Sequence, residues 1–293
     1  MTRSDVAVTE ARPVSGFWAD ALWRVARTRA AVAGGVIVLT FVGVALLAPV
    51  LAPFEPLRGR LAERLQPPSA AHWLGTDELG RDLLTRILYG ARISLQIQVA
   101  AVGLALVVGT LLGLVAGYRG RAADQLIMRL LDILMAFPGI FLALAVIAAL
   151  GTGLVNVILA TALFLVPQFA RVVRASILTL REREFVEAAR ALGEGDVAIV
   201  FRYLLPNSLA PIIVQTSLRM ATVLLTASGL SFLGLGVQPP SPEWGAMLSN
   251  ARSYMITAPH VATMPGLAIM LVVLGFNLLG DGLRDALDPR LKE

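Results

Sequence analysis

Residues 93–118 read ISLQIQVAAVGLALVVGTLLGLVAGY, and this run contains no charged side chain. A helix needs roughly 20 predominantly apolar residues to cross the hydrocarbon core of a bilayer. The run therefore predicts a transmembrane helix. Two further uncharged runs, residues 30–54 and 261–280, predict the same structure.

The composition of the whole chain agrees with this prediction. Of its 293 residues, 57% are hydrophobic and 15% are charged, and the mean hydropathy is +0.75. Soluble domains are about 45–50% apolar and about 25% charged. The composition thus excludes an ordinary soluble enzyme and favours a polytopic all-α membrane protein. Because the chain has no cysteine, disulfides and thiolate metal sites are also excluded.

The other spans follow from the spacing of charges and turn residues. Residues 133–170 are uncharged but too long for one span, and Gly151, Gly153 and Asn156 provide a break. The run at 30–54 exceeds the 7–15 apolar residues of a signal peptide, so it is expected to be retained. The expected layout is a cytoplasmic segment 1–29 and a transmembrane domain 30–292 with six spans. These spans lie at about 30–52, 93–118, 125–150, 155–171, 208–233 and 261–280.

The basic residues set the expected orientation. The net charge is +5, but the basic side chains lie mostly between the apolar runs, which favours membrane orientation over nucleic-acid binding. If the N-terminus is inside, few of the 25 Lys and Arg residues fall in outside loops, namely Arg58, Arg60, Arg64, Arg81, Arg86, Arg92 and Arg252. The cytoplasmic side keeps the excess of Lys and Arg. Both termini are therefore expected in the cytoplasm.

The largest cytoplasmic feature is the loop 181–206. Phe185, Ala188, Ala189 and Leu192 form an apolar stripe at helical spacing, and the glycines from residue 193 end that helix before a second apolar stretch. Two interpretations stay open from the pattern alone. The loop either lies in the lipid headgroups as an amphipathic helix or docks onto a soluble partner.

A resemblance favours docking. The loop contains Glu187-Ala188-Ala189, then three residues before Gly193, then nine residues before Tyr203-Leu204-Leu205-Pro206. This arrangement resembles the EAA motif of ATP-binding-cassette (ABC) importer permeases, except that the family usually has an aliphatic residue at Tyr203. The resemblance implies that the loop couples the chain to a cytoplasmic ATPase. The residues implied in this contact are Glu187, Ala188, Ala189, Leu192, Gly193, Leu205 and Pro206.

Three further segments narrow the resemblance. Residues 72–95, 230–247 and 280–290 are similar to the C-type permease of dipeptide, oligopeptide and nickel importers. The implied fold is the type I (MetI-like) permease core with cytoplasmic coupling helices, in a bacterial inner membrane. The implied partners are a homologous B-type permease, two cytoplasmic ATPases and an outside substrate-binding protein, besides membrane lipid. Peptides are the expected substrate, with nickel or another small solute as the alternative.

The chain is not expected to be an enzyme. It has no phosphate-binding loop, and its two histidines, His72 and His260, fall in separate loops, so no cofactor or metal site is expected. An intramembrane serine protease would need Ser228 with His260 as base, an arrangement that nothing else supports. A secondary transporter would show inverted repeats and interrupted helices, and the sequence shows neither.

Two polar features remain. Arg219 lies within the fifth span, so it either faces the translocation path or extends toward the cytoplasmic headgroups. Outside, Asp77, Glu78 and Asp82 alternate with arginines. This alternation favours ion pairs on a solvated surface over acid–base chemistry.

Overall fold

The computed structural model describes residues 23–287. The regular elements of this part of the chain are all helices, with no β-strand and one isolated bridge between Thr76 and Asp82. Most of the predicted cytoplasmic segment 1–29 and the last residues of the tail lie outside the described range. We number the helices α1 to α10 along the chain. They are α1 Arg29–Leu51, α2 Leu83–Arg119, α3 Arg121–Met135, α4 Gly139–Leu150, α5 Leu154–Leu180, α6 Glu184–Ala191, α7 residues 196–207, α8 Leu209–Phe232, α9 Trp244–Ala251 and α10 His260–Leu287.

Five of these helices, α1, α2, α5, α8 and α10, are long and apolar enough to cross a membrane. A sixth crossing exists if α3 and α4 together count as one span. The predicted class, an all-α polytopic membrane protein, is therefore confirmed.

The predicted third span, 125–150, is not one continuous helix. α3 and α4 meet at a bend of 88°, and the bend falls at Pro138, which precedes the first residue of α4. Proline lacks an N–H and disfavours helical geometry in the residue before it. The break was missed because the span was predicted from the absence of charge. That absence indicates that a segment can lie in a membrane, but it does not indicate whether its helix is continuous. An interrupted helix is thus present, contrary to the sequence-based expectation.

Two other helices extend beyond their predicted spans. α2 begins at Leu83 instead of Ile93, because the Asp82 carboxylate accepts a hydrogen bond from the Thr85 N–H at 2.8 Å and caps the helix. α5 continues past Arg171 to Leu180. Arginine is a good helix former, so charge can mark the edge of the membrane without ending a helix.

The closest helix packing uses glycines spaced by four. Gly109, Gly113 and Gly117 of α2 face α5, where an added Cβ would lie within 3 Å of Phe169, Ala170 and Val173 or Ile177. Small residues at this spacing allow two helix backbones to approach each other. A charged pair also joins α3 to α5, since the Arg174 guanidinium binds the Asp124 carboxylate in a bidentate manner.

Candidate functional site

The loop 181–206 consists of two helical segments joined by a tight reversal. α6 ends at Ala191 with Leu192 as its C-cap, and Gly193 follows with φ of +79°. The Gly193 N–H donates to the Arg190 carbonyl at 3.0 Å, and the Glu194 N–H donates to the Ala189 carbonyl at 3.1 Å. A positive φ costs little for glycine only. The glycine that the motif places here therefore forms the turn between the two segments.

One face of this loop is buried against the long helices. Val186 and Ala189 of α6 are buried, as are Ile199 and Leu204 of α7. They pack in one apolar cluster with residues of α2, α5 and α8, namely Leu114, Val173, Ile177 and Ile212. This packing joins the loop to α2, α5 and α8.

The opposite face of the loop is apolar and exposed. Leu192 is 83% exposed, Val197 is 73% exposed and Phe201 is 53% exposed, and Phe185 is also exposed. Large apolar side chains clustered at the surface mark a contact with a partner or a membrane. Within the described chain nothing covers them.

The predicted coupling residues divide between these two faces. Glu187, Ala188, Leu192, Gly193 and Pro206 are exposed, Leu205 is half-buried and Ala189 is buried. The predicted stripe of Phe185, Ala188, Ala189 and Leu192 is therefore not a single face. Val186 joins Ala189 on the inner face, while Val197 and Phe201 were missed as outward residues. Their helical spacing in the second segment was the available signal.

Polar contacts fix the loop in place. The Tyr203 hydroxyl donates to the Glu194 carboxylate at 2.8 Å, so the residue that departs from the family pattern joins α7 to the turn. This hydrogen bond to Glu194 raises the pKa of Tyr203 above its ordinary value. The Tyr118 hydroxyl of α2 donates to Asp196 at 2.6 Å, and the Arg181 guanidinium donates to the Gly117 carbonyl at 3.0 Å.

The outside segment is an ion-pair cluster, but it is buried and not solvated as the sequence suggested. The Asp77 carboxylate binds the Arg81 Nε at 2.7 Å and lies 3.3 Å from the Arg86 Nε. Arg81 and Arg86 are only 5% and 3% exposed. The Asp82 carboxylate accepts a hydrogen bond at 2.9 Å from His72 Nδ1, in the tautomer that carries its proton on that nitrogen. Because buried charges are stable only when they are paired, these ion pairs constrain the conformation of the outside segment.

A buried carboxylate holds the second outside loop. The Glu243 side chain accepts hydrogen bonds from the Gly245 and Ala246 N–H groups at 2.9 and 2.8 Å and caps α9. Burial raises the pKa of the Glu243 carboxyl above its ordinary value. The adjacent Trp244 is fully buried and donates to the Ile87 carbonyl of α2 at 3.1 Å. The two outside loops are therefore joined to the same end of α2.

Arg219 lies in the middle of α8 and is half-buried. When the Gln215 amide is oriented with its oxygen toward Arg219, that oxygen accepts from Nε at 2.8 Å and from one terminal nitrogen at 3.0 Å. The guanidinium forms no ion pair with a carboxylate of residues 23–287. A charged group at this depth is expected to contact a path or a partner.

Ser228 and His260, the pair that a serine protease would need, are not hydrogen bonded to each other. The Ser228 hydroxyl and His260 Nε2 are both buried atoms without a hydrogen-bond partner in the described chain. A nucleophile and its base must lie within hydrogen-bond reach. The pair therefore lacks the geometry that catalysis would require.

Taken together, a helical membrane body and a surface-presented EAA loop define a transport permease. The chain belongs to the family of binding-protein-dependent transport system inner membrane components, whose model matches residues 109–293. A second model, the N-terminal transmembrane domain of oligopeptide transport permease C, matches residues 16–68. The chain is thus a multi-pass inner-membrane permease subunit of an ABC importer. It is a transport component and not an enzyme, and ATP hydrolysis belongs to a separate subunit.

Characterised relatives are similar over nearly the whole chain. The dipeptide transport system permease protein of Alkalihalophilus pseudofirmus is 51% identical over 275 residues, which cover 94% of this chain and 90% of that protein. The glutathione transport system permease protein of Pectobacterium atrosepticum is 51% identical over 276 residues, with 94% and 92% covered. The di/tripeptide transport system permease protein of Pseudomonas aeruginosa is 46% identical over 295 residues, with 99% and 96% covered.

Solved structures share the fold. The inward-facing methionine ABC transporter matches with a TM-score of 0.57 and 18% identity, over 70% of this chain and 98% of that chain. An amino acid ABC transporter matches with a TM-score of 0.53 and 15% identity, over 69% and 94%. These likenesses confirm the predicted permease core.

Proposed function

We propose that this chain forms half of the translocation pathway for di- and oligopeptides, and that a cytoplasmic ATPase drives it through the loop 181–206. Three relatives with about half their residues identical are named for dipeptide, glutathione or di/tripeptide transport. All of these substrates are short peptides or peptide-like. Peptide import is therefore the function that the relatives support best.

One observation carries the coupling part of the proposal: the loop has a buried face and an exposed apolar face at once. The buried face, with Val186 and Ala189, anchors the loop to α2 and α5. The exposed face, with Leu192, Val197 and Phe201, is free to enter a groove. Helices dock into grooves through such spaced apolar anchors. Lipid headgroups could cover the same residues, so the two interpretations must be separated by experiment.

The proposed assembly follows from this arrangement. The chain pairs with a homologous B-type permease, each permease contacts one ATPase, and an outside binding protein delivers the peptide to the buried-ion-pair end of α2. Both termini lie in the cytoplasm, on the side of the loop. Glu187 would provide a polar contact to the ATPase, while Ala188 permits close approach because its side chain is small.

Replacing the exposed apolar residue Leu192 with a charged one tests whether the loop docks onto the ATPase. A Leu192→Asp chain is expected to fold, because Leu192 contacts solvent and not the core, but to lose the ATPases during purification. Central apolar anchors of an interface contribute at least about 2 kcal/mol when truncated. Recovery of the ATPases with the tagged chain should therefore fall about tenfold or more, measured by quantitative mass spectrometry.

The matched control is Ile256→Asp, an equally apolar and 97% exposed residue of the outside loop. This variant should retain the ATPases at the wild-type level. Unchanged ATPase recovery with Leu192→Asp would contradict docking through this face and favour the headgroup interpretation.

A further inference from the structure

A polar stripe runs along α8, the fifth predicted span. Gln215, Arg219, Thr222, Thr226 and Gly229 follow one another at spacings of four, three, four and three residues. Residues at this spacing share one face of a helix. All five are partly exposed in the described chain, although α8 is a membrane-spanning candidate.

The other faces of α8 are apolar and packed. Val223, Ala227 and Leu230 belong to the core formed with α2 and α5. Ala221 and Leu224 belong to the core formed with α9 and α10. The residues of the stripe are partly exposed, so the stripe lies at the surface of this chain, between these two packed faces.

Lipid is a poor neighbour for such a stripe. The Thr222 and Thr226 hydroxyls donate to carbonyls of their own helix, so the cost of contact with lipid falls on Gln215 and Arg219. Charged groups within a membrane are costly, and they face a bundle interior or a water-filled cavity. By contrast, Leu225 on the same helix is exposed and apolar, so its side chain can contact lipid at no such cost. Contact of the stripe with a water-filled path is therefore lower in free energy than its contact with lipid.

Arg219 has hydrogen-bonding capacity left along this path. A guanidinium carries five N–H donors and binds carboxylates through two of them at once. Gln215 accepts only two of the five. The side chain also lies about ten residues into α8, which corresponds to about 15 Å along the axis, near the middle of a hydrocarbon core about 30 Å thick.

We propose that Arg219 binds the C-terminal carboxylate of a peptide during its passage through the permease. The inference rests on the proposed peptide import and adds a recognition residue to it. A free α-carboxylate is the anionic group that di- and oligopeptides share, whatever their side chains. Gln215 acts as a positioning residue, because its amide oxygen holds the guanidinium in one orientation.

The test compares a free dipeptide with its amide. Proteoliposomes that hold the complete complex, with one preparation of binding protein throughout, are supplied with dialanine or with dialanine C-terminal amide. Since the binding protein is the same, a change in the ratio of the two uptake rates reports on the permease. Arg219→Gln should lower uptake of dialanine about tenfold and leave uptake of the amide unchanged. Arg219→Lys should retain part of the preference.

The outcomes that would overturn the inference are distinct from failure of the proposed function. The inference is contradicted if Arg219→Gln lowers the uptake of dialanine and of its amide equally, or leaves the ratio of the two uptake rates unchanged. It is also contradicted if the variant loses the second permease on purification. Each of these results would show that Arg219 has a structural role. Arg58→Gln, at an exposed arginine of the outside loop, serves as the charge control and should leave the ratio unchanged. If the wild-type complex imports neither substrate, peptide import itself is contradicted.

Discussion

A Gly193→Val chain is expected to insert and assemble, while the complex loses at least nine-tenths of its ATP-driven peptide uptake. Gly193 has φ of +79°, and the space where a Cβ would lie is empty to 4 Å. The cost is therefore backbone strain alone, about 1–3 kcal/mol for a residue forced into this region. Since 1.4 kcal/mol is a factor of ten in an equilibrium, this strain shifts the balance between the native turn and an opened turn by about tenfold or more toward the opened one. Uptake in proteoliposomes measures the effect.

Gly195 provides a matched control two residues away. Its φ is −73° and no atom lies within 4 Å of its added Cβ, so Gly195→Val should retain uptake. Gly193→Asn should retain more uptake than Gly193→Val, because asparagine tolerates the left-handed region. Wild-type uptake by Gly193→Val would show that the turn does not transmit the ATPase motion.

Replacing Asp77 with alanine is expected to destabilise the outside segment by about 3–5 kcal/mol, the usual result of removing one partner from a buried ion pair. Asp77 accepts from the Leu79 and Arg81 N–H groups, both at 2.9 Å, and from the Arg81 side chain. Its loss leaves the Arg81 and Arg86 guanidiniums buried with less compensation. The measurement is thermal unfolding of the purified complex.

The neighbouring carboxylate is the control for this prediction. Glu78 contacts Arg81 at 3.0 Å, but its side chain is more exposed than that of Asp77 and does not contact Arg86. Glu78→Ala should therefore lower the unfolding temperature much less than Asp77→Ala. Equal losses for the two variants would show that the cluster does not depend on Asp77.

The class of fold and the place of the loop could be predicted because hydropathy and glycine spacing are local signals. Residues 93–118 are sufficient for a span, and the turn at Gly193 follows from the need for a positive φ. The family could also be predicted, because the EAA motif is a local sequence pattern with fixed spacing.

The bend at Pro138 was missed although Pro138-Gly139 is a local turn signal, because the span was predicted from hydropathy, which does not measure backbone geometry. Other features depend on neighbours that the sequence does not show. The charges around Asp77 form ion pairs as expected, but their burial depends on how the outside loops pack on α2. The loop has two apolar faces, so the pattern alone could not tell which face turns inward.

The most direct test of the account is the energy source of uptake. The complete complex in proteoliposomes, with binding protein and a labelled dipeptide, is measured with ATP, without ATP, and with ATP plus ionophores that abolish ion gradients. The account predicts uptake that requires hydrolysable ATP and is unchanged by the ionophores. Uptake by the chain alone without ATP, abolished when the ion gradient is dissipated, would contradict it.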